Sequence, residues 1–411
     1  MTDSIYPMRR LCDVGVSLLD CDHRTPLPAP VGFPYIAIPN VRDGRLDLSE
    51  VRLISKEDFD SWTRKTKPKA GDIIMTRRAR VGDVAVVPDN LVCAIGQNLV
   101  ILRSDGKQLD QSYLRWVLRG PLYEEQKQKF LNVGAVFDSL NCGDIPKFEI
   151  PVPTLPEQRA IAAILGALDD KIELNRRLNR TLEAMARAIF TSWFVDFDPV
   201  RAKMEGHPPF GMDADTAAVF PDAFEDSPLG QIPRGWQVKA LPDVIQVNPS
   251  RSLRNGADAP YLEMSNLPTH AARALRWETR AFTSGMKFIN GDALVARITP
   301  CLENGKTAFV DFLKDGEVGW GSTEYIVLRG KSPLLPEYAY FLARSDSFRA
   351  FAIKNMTGTS GRQRVPTTAF DSYLIVVPPS SIAKQFSGVA SPIMVTMYLI
   401  KKSRGQVYWG Q

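Results

Sequence analysis

Histidine is scarce in this 411-residue chain, with only His23, His207 and His270. A catalytic triad or a histidine-based metal centre would have to draw on positions scattered over loops and a proline-rich stretch, and neither is assembled. Cysteine is nearly as sparse. Cys12, Cys21, Cys93, Cys142 and Cys301 lack close pairing, so neither a disulfide framework nor a zinc site is indicated, and packed, reduced thiols are expected. No apolar run approaches the ~18 residues of a membrane helix, and residues 1–20 are too broken by Asp and Arg for a signal peptide. A cytoplasmic protein without a membrane partner is expected. A strong charge of one sign is also missing: 51 basic against 46 acidic residues, net +5, does not by itself indicate a polyanionic partner.

What the chain does contain is a repeat. From Lys69 it reads KAGDIIMTRRARVGDVAVV, and from Ile289 INGDALVARITPCLENGKTAFV. The pairing continues with GQNLVILR at Gly96 against GSTEYIVLR at Gly321, Tyr113 against Tyr338, and FEIPVP ending at Pro153 against YLIVVP ending at Pro378. Two copies of one globular unit suit a molecule that engages two similar targets. Short strands are read at 73–75, 84–87 and 99–102, and again at 293–296, 307–310 and 325–328. Short helices follow at 113–119 and 338–344, so each unit is α/β with a mixed sheet. Gly71-Asp72 and Gly291-Asp292 read as turns.

Between the copies lies a long helix. Thr154 and Glu157 form a capping box, and the pattern runs to Asp198-Pro199, about 40 residues or roughly 60 Å. Ile161, Leu165, Leu168, Ile172, Asn175, Asn179, Leu182, Ala186, Ile189 and Trp193 recur by fours and threes, a coiled-coil seam whose asparagines would set register against a partner helix. The expected organisation is a first unit at 1–153, the helix at 154–198, an extended Pro/Gly-rich linker at 199–234, a second unit at 235–379 and a distal helix at 380–411. The distal helix is read as interrupted by Pro392 and shortened to about 20 residues.

Basic residues cluster once in each copy. Within 62–80, Arg64, Lys65, Lys67, Lys69, Arg77, Arg78 and Arg80 stand against Asp72 alone, and within 348–364, Arg349, Lys354, Arg362 and Arg364 stand against no acid. Such clusters can neutralise phosphates or read guanine, or they can be solvated faces. Arg77, Arg78 and Arg297 follow strands at equivalent places, where DNA contact competes with pairing to a local acid. The 358–364 loop offers glycines for close approach, Ser360 for phosphate, Gln363 for adenine and Arg362 or Arg364 for guanine. The first-copy loop, 134–141, lacks arginine and would rely on Asn132, Ser139 or Asn141. Catalytic readings are weaker. His207-Pro208-Pro209-Phe210 has histidine where an amino-methyltransferase motif needs Asn or Asp, and Asp89 with Asp105-Gly106-Lys107 fits a nuclease-like metal pattern, although Asp105-Gly106 also reads as an ordinary turn.

The stretch LPEQRAIAAILGALDDKIELNRRLNRTLEAMARAIFTSWFVDFDPVRAK at 155–203, the repeated Gly-Asp-strand-arginine element and the GTSGRQRVP loop at 358–366 resemble the specificity (S) subunit of type I restriction-modification enzymes. The resemblance covers essentially the whole chain. It implies two α/β target-recognition domains, each reading half of a bipartite double-stranded DNA sequence, spaced by long conserved helices that dock two methyltransferase subunits. Restriction subunits join through the complex, and catalysis belongs to the partners, so neither catalytic residues, metal nor cofactor is implied here. The expected DNA-binding residues are Arg77, Arg78, Arg80, Asn141, Arg297, Ser360, Arg362, Gln363 and Arg364. The expected subunit interface is Ile161, Leu165, Leu168, Ile172, Asn175, Leu182, Ile189 and Trp193. The family's distal helix continues beyond Arg404, so the alternative is an interaction scaffold whose DNA specificity is impaired by a truncated end.

Overall fold

The computed structural model describes residues 5–22, 24–134, 137–274, 276–359 and 361–405, with side chains as far as 400. The chain divides into two compact units, Met1–Lys171 and Ile172–Gln411, and the division falls inside the long helix.

The first unit's main sheet has the strand order Val16–Asp20, Leu99–Ser104, Ile73–Thr76, Val84–Val86, antiparallel throughout. Its central strands are apolar without a break at 73–75 and 99–102 because both faces are covered there. Ile73, Met75, Val100 and Leu102 turn toward a core with Leu114, Phe148 and Ile150. Ile74, Leu99 and Ile101 turn the other way, against Ile36, Val41 and Val87. Each such side chain contributes ~1.5–3 kcal/mol on full burial, so the doubly covered strands are the main source of the unit's stability.

The second unit repeats the order with Ile245–Val247, Tyr325–Gly330, Ala293–Ala296 and Thr307–Phe309. Ala293, Val295, Ile326 and Leu328 take one face, and Leu294, Ala296, Tyr325 and Val327 the other. The mixed sheet expected in each unit is a second one. Phe33–Ile36 runs parallel to Ala94–Ile95, and Asp258–Leu262 parallel to Gly319–Gly321. Antiparallel pairs from near the ends of each copy, Met8–Arg10 with Glu149–Pro151 and Gln237–Ala240 with Leu374–Val377, complete the match.

The repeated Gly-Asp and the repeated strand-end arginine turn out to be partners. Gly71 and Gly291 take left-handed φ of 81° and 86°, which turns the chain so that the next side chain points inward. Asp72 accepts from Arg103 Nε at 2.7 Å and Nη2 at 2.6 Å, and from the Lys69 N–H at 2.7 Å. Asp292, fully buried, accepts from Arg329 Nε at 2.5 Å, Arg251 Nη2 at 3.2 Å and the Ile289 N–H at 2.8 Å. The lone acid of the first basic cluster is thereby committed to an arginine outside that cluster.

The central helix spans Leu155–Phe194, 40 residues. Only half of the expected capping box forms: Glu157 accepts from the Thr154 N–H at 2.9 Å and hydroxyl at 2.7 Å, so that hydroxyl donates to the carboxylate rather than accepting from the Glu157 backbone. The helix ends before Phe197, which is left-handed at φ 57° with its ring 5.6 Å from that of Trp236. Pro199 then sits in the first turn of a new helix, Asp198–Met204.

Two expectations need correction. The 199–234 stretch is not an extended connector. After Asp198–Met204 it forms a helix at Ala214–Ala218 and a hairpin of Phe224–Ser227 with Gly230–Pro233, burying Val200, Phe220 and Ile232 in the second unit's core. Pro199 takes a first helical position, Pro228 lies in the hairpin turn and Pro233 ends a strand, while apolar residues spaced between the prolines supply the anchor. Nor does Pro392 interrupt the distal helix, which runs Ser380–Gly405, 26 residues. Pro392 and Gly388 are exposed, so the carbonyl that loses its donor faces solvent, and the Thr396 hydroxyl donates to the Pro392 carbonyl at 2.8 Å. The five thiols are all unbridged. Cys12 is exposed rather than packed, whereas burial pushes the Cys93 thiol up to about 12.

Candidate nucleic-acid interface

Arg77 leaves the end of strand Ile73–Thr76 and is stitched to two neighbours. Its N–H donates to the Asn98 carbonyl at 2.8 Å and its carbonyl accepts from the Leu140 N–H at 2.9 Å. Asn132 and Ser139 exchange main-chain bonds at 2.9 and 3.0 Å, closing the loop whose far side pairs with Arg78. The guanidinium is half-buried; Nη1 donates to the Leu140 carbonyl at 3.4 Å and Nε is enclosed without a hydrogen-bond partner.

Arg297 repeats this arrangement after Ala293–Ala296. Its N–H donates to the Glu324 carbonyl at 3.0 Å and its carbonyl accepts from the Val365 N–H at 2.9 Å. Thr357 and Arg364 exchange main-chain bonds at 2.9 and 2.8 Å, as Asn132 and Ser139 do, and Ile298 bridges to Arg364. Arg297 is also half-buried, and its Nε too is enclosed without a partner. Each unit thus places one arginine at the same corner, between a sheet-strand end and a closed loop.

The remaining candidates separate by their neighbours. Arg80 pairs with Asp83 at 2.6 Å, and Arg364 Nε with Glu324 at 2.7 Å, so each is held by a local acid, an alternative that the sequence reading raised only for Arg77, Arg78 and Arg297. Arg78 and Arg362 are exposed. The Arg362 N–H donates to the Thr359 carbonyl at 3.0 Å in a turn that uses Gly361 at φ 78°. Gln363 is half-buried and its carbonyl accepts from the Thr299 N–H at 3.0 Å. Asn141, exposed, donates from Nδ2 to Asp144 at 3.3 Å. Ser360 lies outside the described residues. Sequence reading missed Glu324, which faces Arg297 and Arg364; the aligned strings GQNLVILR and GSTEYIVLR set it against Asn98 and so carried the signal. It also missed the exposed Val133 and Phe137, which make the first loop apolar where the second is basic.

The long helix is used locally by each unit. In the first, Ile161 and Ala162 pack on the core, and Gln158 is fully buried. Gln158 accepts from the Asp110 N–H at 2.7 Å and donates to the Gln108 and Pro153 carbonyls at 2.9 and 2.8 Å. Leu165 is half-buried, Leu168 is exposed, and Asp169 takes arginines 45 and 115. In the second, Ile172 is half-buried and Asn175 is buried, while Leu182, Ile189 and Trp193 pack into that unit's own core. Phe190 and Phe194 stack edge-on with Tyr338 and Phe386 at 5.1–5.8 Å. Glu183 accepts from Tyr340 at 2.7 Å and Arg344 at 3.1 Å, and burial together with that carboxylate pushes the Tyr340 hydroxyl well above its ordinary range. Apart from Leu168, the large apolar side chains of the helix that stay exposed are others: Ile164 in the first unit, Leu174, Leu178 and Met185 in the second.

The alternative chemistries find little geometry. Asp105 accepts from the Lys107 N–H at 2.9 Å, an ordinary turn, and Asp89 is exposed. Phe210 projects wholly into solvent. Among the described residues no group of His, Cys, Asp and Glu is placed to hold a metal, and no helix is long and apolar enough to cross a membrane.

A duplicated α/β chain with one long helix between its copies and a matched arginine corner in each is suited to engaging two similar sites. Comparison with known proteins narrows the class. Residues 26–184 match the model of the type I restriction modification DNA specificity domain. The chain is 24% identical over 364 residues to the type I restriction enzyme MjaIX specificity subunit of Methanocaldococcus jannaschii, covering 83% of this chain and 75% of that one. It is 32% identical over 175 residues to the HindI specificity subunit of Haemophilus influenzae, a stretch covering 32% of this chain and 38% of the relative. The crystal structure of a type I restriction-modification S subunit from M. genitalium superposes with a TM-score of 0.55 at 14% identity, over 99% of this chain and 94% of that one, and so shares the fold. Residues 26–184 thus match the type I restriction modification DNA specificity domain, and over most of its length the chain is similar to a type I restriction enzyme specificity subunit.

Proposed function

We propose that this chain is the non-catalytic, sequence-reading subunit of a type I restriction-modification complex, with one α/β unit for each half of a bipartite duplex target. The observation that carries the reading is the duplicated corner: Arg77 and Arg297 stand at the same strand end, held by the same main-chain bonds. Base reading needs donors held at fixed positions by a rigid sheet, and this arrangement supplies one set per unit. Arg78, Arg362 and Gln363, on the loops beside each corner, supply further donors, while Arg80 and Arg364, already held by acids, orient their loops.

Adenine methylation and cleavage belong to partner subunits. Two methyltransferase subunits dock on the exposed apolar faces of the long helices, restriction subunits join through them, and the assembly works in the cytoplasm without a cofactor held by this chain. The scaffold alternative is not favoured: a protein that had abandoned DNA would have no use for a matched arginine corner in both units.

The test is to select targets from a randomised duplex pool with the full chain, alone and with its methyltransferase partners. A split target, bound more weakly as salt rises, is expected. Metal-dependent cutting by the isolated chain, or a complex with no sequence preference, would refute the reading.

A further inference from the structure

Arg77 and Arg297 differ from the other arginines near them in what they lack. Arg80 and Arg364 each have a carboxylate within 2.7 Å, whereas the Nε atoms of Arg77 and Arg297 are enclosed with no hydrogen-bond partner. A half-buried guanidinium that pairs with no acid among the described residues is costly, and the same cost recurs at the same corner in both units. The enclosure also restricts the fork. With Nε walled in and the backbone tied on both sides, by Asn98 and Leu140 in one unit and by Glu324 and Val365 in the other, what remains to meet a ligand is the Nη edge, where Arg77 Nη1 also donates to the Leu140 carbonyl at 3.4 Å. A mobile phosphate neutraliser does not need such fixing. A planar fork that must meet two acceptors at once does, and guanine O6 and N7 are the pair in a major groove that matches it.

Resting on the two-unit reading above, we propose that Arg77 and Arg297 are paired guanine readers, each meeting one guanine in its own half-target, so that both halves contain a guanine whatever else distinguishes them. The differing loops then supply the difference between halves: Arg362 and Gln363 beside Arg297, the apolar Val133 and Phe137 beside Arg77.

The experiment uses the native full chain with its methyltransferase partners and the target selected from a randomised pool. Each guanine of that target is replaced in turn by 7-deazaguanine, which removes only the N7 acceptor. One replacement in each half should weaken binding about 10- to 100-fold, and the others far less. Arg297→Lys should relax the sensitive position in one half only, and Arg77→Lys in the other, with the salt dependence nearly unchanged because the charge is kept. A selected target with no guanine in one half, or guanines all indifferent to the deaza replacement, overturns this assignment and leaves the sequence-reading function standing. Lysine variants that read like the native chain do the same, since a phosphate contact tolerates that exchange. A pool that yields no sequence preference overturns the function and the assignment together.

Discussion

Replacing Asp292 by alanine should be among the most damaging single changes in the second unit. The carboxylate is fully buried and accepts from Arg329 Nε, Arg251 Nη2 and the Ile289 N–H at 2.5, 3.2 and 2.8 Å. Alanine leaves two guanidinium groups and a backbone donor facing a gap. Removing one partner of a buried ion pair costs about 3–5 kcal/mol. Because the Arg329 side chain is 26% exposed and can turn partly to water, the lower end, about 3 kcal/mol, is expected. For a unit of this size that corresponds to a fall of roughly 6–12 °C in its melting transition. Calorimetry of the full chain reads the shift, and hydrogen exchange assigns it to strands Ala293–Ala296 and Tyr325–Gly330. Asp72→Ala should act in the same way on Ile73–Thr76 and Leu99–Ser104. The double change Asp292→Ala with Arg329→Leu should cost less than the two singles added together, because the stranded cation is gone. A loss below about 1 kcal/mol for Asp292→Ala, or strict additivity in the double, would show that the repeated aspartate is not what fixes the strand ends.

Other outcomes follow from the same contacts. Gln158→Ala, which strands the Asp110 N–H and the Gln108 carbonyl in partly buried places and the Pro153 carbonyl in a buried one, should destabilise the first unit by about 1–3 kcal/mol in urea unfolding; a change under about 0.5 kcal/mol would mean that the helix start docks without it. Arg362→Ala or Gln363→Ala should relax discrimination by about 1–3 kcal/mol in one half of the selected target, and relaxation of both halves would end the one-unit-per-half scheme. Leu174→Glu with Met185→Glu, both exposed, should leave the melting profile unchanged while lowering methyltransferase co-purification, and undiminished assembly would move the docking surface elsewhere.

Much of the fold was readable because it depends on local pattern. The Gly-Asp turns, the unbroken apolar runs at 73–75 and 99–102 with their second copies, and the 3.6-residue rhythm of Leu155–Phe194 are decided by neighbours in sequence. The corner arginines were legible for the same reason, since Arg77 and Arg297 occupy matching places after matching strands. The 199–234 stretch misled because proline and glycine report on backbone shape, whereas Val200, Phe220 and Ile232 are anchored by a core built from residues far along the chain. Pro392 misled similarly, since its cost depends on whether the carbonyl it deprives faces solvent.

By itself, then, the amino-acid sequence determined that there are two copies, that each is a layered α/β unit, and that a long helix joins them, because turns, strand patterns and helical periodicity act over a few residues. Tertiary structure alone decided which charges are committed and which are left over. Asp72 and Asp292 take Arg103 and Arg329 from the far ends of neighbouring strands, and Glu324 takes Arg364 across a loop. Among the described residues Arg77 and Arg297 pair with no acid, because an ion pair is a matter of distance in space, and sequence separation says little about that.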